Sequence, residues 1–327
     1  MKQLSYKLFL LSLILILSVL GLNEIFIKKS FPYDYTGGML IDKHKIAQNT
    51  PSPKVLLIGG SSGSFGINSN ILEEQIQPFP VVNMSFIAPF GTYFLFNDAL
   101  KEVNKNDKIF VTIEYDIEHF GSTNVLLSAS DYYPDAEQYL INRENLIYIV
   151  RDKVNQKIKN VRQLFFNILK KDHRITANNA DNTSVYFRKA FSEKGDIISH
   201  LNNPPKAINF QDFPKEFVNY SLQIKDLNLF VEKAKLINAQ VYFIFPPLAK
   251  STYLYGKIAV ESISQQLKKD IHCQILGNEK DFIMPDSLFF DSFYHLNAQG
   301  RDLRTHKIIE LYKNIQKDSL KINSLKI

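Results

Sequence analysis

The sequence predicts an α/β fold: a three-layer sandwich with a parallel sheet between helices, a helical insertion, and an N-terminal transmembrane helix. Three observations predict it. Short apolar runs alternate along the chain with longer segments of helical spacing. The runs are nearly continuous rather than alternating, as strands covered on both faces require. They also stop at turn formers, Gly59-Gly60 after the first and Pro246-Pro247 after the fourth. With 327 residues, 45% of them hydrophobic and 13% aromatic, the chain can bury a sizeable core, which excludes a disordered class.

The N-terminus opens with Leu8 to Leu22, apolar but for Ser12, Ser18 and Gly21, and extends through Asn23 and Glu24 to Ile27. That length approaches the ~20 residues needed to cross a bilayer. Lys2 and Lys7 precede it and Lys28 and Lys29 follow, so the charge bias is weak. The expectation is a single-pass membrane protein: residues 1–30 form a cytoplasmic tip and anchor, and the main domain is extracytoplasmic. A cleaved signal peptide ending near Val19-Leu20-Gly21 and a buried core helix are the competing readings. Residues 31–53 read as a polar tether.

The α/β body is expected over 54–120 and 219–327. Strands are expected at Lys54–Ile58, Pro80–Met84, Asp107–Ile113, Ala239–Phe245 and Ile271–Leu276. Helices are expected at 92–103, 222–237, 260–269 and 298–315. The single cysteine, Cys273, cannot form an internal disulfide and reads as an inert thiol in the fifth strand. No Cys/His spacing suggests zinc, and nothing suggests an organic cofactor or a nucleic-acid partner.

Residues 121–218 read as an insertion. Leu146, Val150, Val154, Ile158, Val161, Phe165 and Leu169 recur at three- and four-residue steps and predict a helix over 140–172 with one apolar stripe. Arg151 to Arg174 holds eight Lys/Arg against two Asp, a net of +6 that equals the net charge of the whole chain. A basic helix of this kind either contacts anionic headgroups or glycans, or packs its stripe in a core and leaves the charges solvated. Packing against a core is the favoured expectation. Asn178 to Asn182 reads as a polar break.

The chemistry sits in two distant segments. Val55 to Ile67 carries Ser61 just after the first strand, and Phe289 to Thr305 carries Asp291 and His295 just before the last helix. A serine hydroxyl is a weak nucleophile until an imidazole takes its proton, and a carboxylate fixes that imidazole's tautomer. In a parallel sheet such groups meet beyond the carboxyl ends of the strands. Ser61 alone could be a turn residue, and Asn297 a plain helix N-cap. Asp286 is a weaker orienter for His295, and Ser292 leaves a Ser-His dyad open.

Together these segments resemble the SGNH/GDSL hydrolase superfamily. Gly59-Gly60-Ser61 stands where that family has Gly-Asp-Ser, and His295 stands at its late histidine. Asp291 precedes His295 by four residues rather than three. The Gly-x-Asn-Asp block that supplies the family's oxyanion-hole Asn is absent, and Glu114 and Tyr115 occupy its neighbourhood. Asn83-Met84-Ser85 matches an Asn-x-Gly block, with Ser85 at the Gly. The resemblance therefore implies Ser61, His295 and Asp291 as catalytic residues, with Ser85 and Tyr115 at the oxyanion or substrate.

An N-terminal anchor on such a domain resembles the teichoic-acid D-alanyl transfer proteins and the polysaccharide O-acetyltransferases. This implies an acyl esterase or O-acyltransferase acting on a cell-envelope glycan, in contact with a bilayer and with a membrane-bound acyl-transfer partner. The absent Asn block and the shifted Asp leave a second expectation open: a degenerate scaffold or glycan-binding subunit.

Overall fold

The computed structural model describes residues 2–31, 34–140, 146–170 and 185–324. The polar break at Asn178–Asn182, and residues 141–145 and 171–172 of the long expected helix, lie outside them. The chain divides into two compact units, residues 1–41 with 123–189 and residues 42–122 with 190–327.

The larger unit is α/β. Its elements run β1 (Val55–Gly59), α3 (Ser61–Gly66), α4 (Ser69–Gln75), β2 (Val81–Asn83), α5 (Gly91–Ala99) and β3 (Lys108–Thr112). After 190 they continue α8 (Ser221–Leu236), β4 (Gln240–Ile244), β5 (Leu248–Ala249), α9 (Lys250–Tyr255), α10 (Lys257–Asp270), β6 (Gln274–Leu276), β7 (Ile283–Met284) and α11 (Ala298–Ser324). Five strands form one parallel sheet in the order β2-β1-β3-β4-β6, with Leu57 opposite Asn83 on one side and Phe110 on the other. β5 and β7 make a separate two-stranded parallel ladder.

The five expected sheet strands are all present. The fifth starts three residues later than expected, so Cys273 stands just outside it, half-buried, its thiol pushed up to about 12 by burial. The central strands are apolar throughout because helices cover them: Leu56, Leu57, Phe110 and Phe243 have no exposed surface. α5 packs on α8, and α11 packs on α3 and α4. The strand order reverses direction between β1 and β3, and crevices open beyond the carboxyl ends of strands at such a switch point.

Residues 37–49 correct the sequence reading. They form a helix, α2 (Gly37–Asn49), and not a tether. Its inward positions are Met39, Leu40, Lys43, His44 and Ala47, all buried. The spacing is helical, but two of the five residues are a Lys and a His, which hides the apolar face. Lys43 Nζ donates to Asn83 O, Ser85 O and Gly195 O at 2.9, 2.6 and 2.7 Å. His44 lies between Glu102 and Asp98, at 2.7 and 2.8 Å.

The smaller unit is helical: α1 (Lys2–Ser30), α6 (Thr123–Ser130) and α7 (Leu146–Leu169), with the start of α2. α1 is one unbroken helix, long and apolar enough to span a membrane between Gln3 and Ser30. α7 packs on α1 through Leu164 and Phe26, flanked by Leu22 and Ile27. Most of the α7 stripe that the sequence assigned to a core is on the outside: Val150, Val154, Ile158, Phe165 and Leu169 are exposed, and Val161 is half-buried. Ile149, Asn160, Leu164 and Asn167 are buried instead.

Candidate active site at the carboxyl ends of β1 and β3

β1 ends at Gly59, and the chain turns at once into the short helix α3, whose first residue is Ser61. β3 ends at Thr112, two residues before Glu114. The switch point therefore sets Ser61 and Glu114 side by side. Ser61 Oγ donates to Glu114 Oε1 at 3.2 Å, and the Ser62 N–H donates to the same oxygen at 2.6 Å. Glu114 is fully buried, its Oε2 has no hydrogen-bond partner, and burial raises its carboxyl pKa. The fit is tight: a Cβ on Gly60 would lie 2.0 Å from Glu114 Oε2, and one on Gly63 would lie 2.3 Å from Ser85 Oγ.

Asp291 and His295 arrive on one tight turn. Phe290 N–H donates to His295 O at 2.7 Å, and His295 N–H to Ser292 O at 3.2 Å. The turn presents His295 Nδ1 to Asp291 Oδ1 at 2.8 Å, with both side chains mostly buried. Asn297 caps α11, its side-chain oxygen accepting from Gly300 N–H at 3.0 Å. Asp286 accepts from Ser251 N–H and stands apart from the His295 pair.

Phe65 connects the two segments. It lies four residues after Ser61, on the same side of α3, and the His295 ring stacks on it with centroids 4.1 Å apart and planes 9° apart. His200 meets Phe65 at 4.7 Å and bonds Leu296 O through Nε2 at 2.9 Å. Burial pulls His200 down to about 4, so it is a neutral donor that braces the turn. Residue type alone gave no signal for this role; His200 follows Ile-Ile-Ser in an irregular stretch.

Ser85 and Tyr115 are placed differently. Ser85 is fully buried against Gly63 of α3, with its hydroxyl unpartnered and its carbonyl accepting from Ser64 Oγ. Tyr115 is buried with Ser264, Glu279 and Arg304 around its hydroxyl. Its backbone N–H donates to Tyr294 Oη at 2.9 Å. Consecutive residues leaving a strand point to opposite sides, so Glu114, not Tyr115, meets Ser61.

Arg304 underlies the site and was not singled out from the sequence. Fully buried, it donates to Ser62 O at 2.7 Å, Gly66 O at 3.4 Å, Thr112 Oγ1 at 2.9 Å and Phe245 O at 3.2 Å. It thereby ties α3 to the ends of β3 and β4. His119 pairs with Asp226 at 2.6 Å, as a link to α8. Among the described residues, no group of three or more His, Cys, Asp or Glu is placed to hold a metal ion.

Compared with known proteins, the chain matches no family model and no curated sequence.

Proposed function

We propose that the protein is a membrane-anchored serine acyl-transfer enzyme with an SGNH-like α/β domain facing away from the cytoplasm. The observation that carries this reading is the Asp291–His295 pair at 2.8 Å, with its imidazole stacked on Phe65 one helical turn from Ser61. In the reaction, His295 takes the proton of Ser61 Oγ as the oxygen attacks an acyl ester carbonyl. Asp291 keeps the imidazole's other nitrogen protonated and oriented. The C–O bond of the ester breaks, the leaving alcohol takes the proton from His295, and Ser61 holds the acyl group. A sugar hydroxyl or water then resolves the acyl-enzyme. A cell-envelope glycan, reached from a bilayer and supplied by a membrane-bound acyl donor, is the substrate class that suits an anchored domain.

One observation favours a second reading, a non-catalytic scaffold or glycan-binding domain. The Ser61 hydroxyl and the Ser62 N–H both point to Glu114, so a carboxyl group occupies a backbone donor that an oxyanion would use. The test is labelling of the detergent-solubilised full chain by a fluorophosphonate probe. The enzyme reading expects labelling that Ser61→Ala abolishes and His295→Ala strongly reduces, with unchanged circular dichroism. Absent labelling, or labelling that survives Ser61→Ala, supports the scaffold.

A further inference from the structure

The helical unit has its polarity reversed. Where α7 meets α1, amides are buried beside Leu164 and Phe26: Asn160 Nδ2 donates to Asn23 Oδ1 at 2.9 Å and to Asp131 Oδ2 at 3.0 Å. Asn23 is 0% exposed and Asn160 is 2% exposed. The apolar stripe of α7 faces outward, with Val150 and Ile158 each 52% exposed and Leu169 79% exposed. In water this places the wrong face inside. Beside lipid it is the favoured arrangement, because interhelical amides hydrogen-bond across the pair while apolar side chains meet acyl chains.

We infer that α7 is an interfacial membrane helix that lies on lipid beside α1, its stripe Val150, Val154, Ile158, Phe165 and Leu169 set into the boundary between headgroups and acyl chains. Three further observations support lipid as the occupant. The helix it packs on is itself apolar and exposed: α7 meets α1 at Leu22, Phe26 and Ile27, while Leu13, Ile14, Leu17 and Leu20 of α1 are exposed. At 100° per residue, Lys157 falls on one border of the stripe and Arg151 and Arg162 on the other. Basic side chains on both borders reach phosphates while their stems stay in the apolar zone. The helix carries too many charged and amide side chains to cross the bilayer, which leaves the interface as its place.

The inference rests on α1 being the membrane anchor, and the experiment separates the two. Single cysteines are placed in a Cys273→Ser background of the full chain at Val154, Ile158 and Phe165 on the stripe, Lys159 on the opposite exposed face, and Leu15 on α1. Each is labelled with an environment-sensitive fluorophore and reconstituted into vesicles of phosphatidylcholine with phosphatidylglycerol. Brominated lipid and aqueous iodide serve as competing quenchers. The stripe positions and Leu15 should lose most of their emission to brominated lipid and resist iodide, and Lys159 should do the reverse. Stripe positions open to iodide, with Leu15 still quenched by lipid, overturn the inference and leave the anchor. Stripe positions shielded from both quenchers also overturn it, in favour of a protein partner or a second copy. If Leu15 escapes lipid quenching, the anchor itself fails.

Discussion

Replacing Lys43 by Met tests a fully buried charge in the α/β unit. The ammonium donates to three carbonyls and sits near Asp196. After truncation Ser85 O keeps the Ser64 hydroxyl, but Asn83 O and Gly195 O lose the donor. Two such carbonyls cost about 1–3 kcal/mol each, so roughly 4 kcal/mol in the middle of the range. Against this, burial pulls Lys43 from 10.5 to about 7. Between these values the unfolded chain binds more protons than the native one, so stability contributed by this group rises with pH. Near pH 7 the relief of burying a cation nearly cancels the stranded carbonyls, and Lys43→Met should be close to neutral. By pH 9 about half of that relief is gone, and the variant should be less stable than the parent by about 2 kcal/mol. Urea unfolding of the full chain in detergent, followed by circular dichroism at pH 7 and pH 9, measures the gap. A gap that stays constant or narrows with pH refutes the reasoning, whatever its size.

Three further outcomes are expected. His44→Gln should destabilise by on the order of 2 kcal/mol at pH 6. Burial opposes the charge on His44, but Asp98 and Glu102 raise it to about 9, so its contribution is complete below the unfolded value near 6.5 and is lost through pH 9; a deficit that grows with pH would contradict this. Gly60→Ala should cost about 1–3 kcal/mol because its Cβ meets Glu114 Oε2, and adding Glu114→Ala should cost less than the two single changes combined, read by a double-mutant cycle of unfolding energies. Arg304→Met should loosen α3 and lower the rate of fluorophosphonate labelling at Ser61, with normal labelling refuting its positioning role.

The strands were legible in the sequence because each is a short apolar run, the first and fourth closed by Gly59-Gly60 and Pro246-Pro247, and parallel order follows from the helices between them. What stayed hidden was polar burial. α2 escaped because Lys43 and His44 fill two of its inward positions. In α11 Arg301, Arg304 and Thr305 share the inward face with Ile308, Ile309 and Tyr312, while Leu303 is half exposed, so its first turns bury polar residues that hydropathy would place outside. The stripe of α7 was read correctly as a stripe and assigned to the wrong surroundings, since nothing in periodicity reveals that Asn23 and Asn160 pair. At the candidate site, the Asp291–His295 pairing was legible from spacing. The choice between Glu114 and Tyr115 was not, because it depends on where β3 ends.

The order of the chain also sets an order of assembly. Ser61 and Glu114 follow β1 and β3, adjacent strands in an early stretch of the chain, and β4, β6 and the Asp291–His295 turn come only after residues 123–189 of the helical unit. The interval from residue 114 to residue 295, 181 positions by subtraction, takes about 10–35 s at 5–20 residues per second. During that interval a nascent chain holds Ser61 and Glu114 but neither Arg304, which ties α3 to the end of β3, nor His295. On the proposed acyl-transfer reading, a ribosome that stalls before the last helix leaves a fragment that should not react at Ser61.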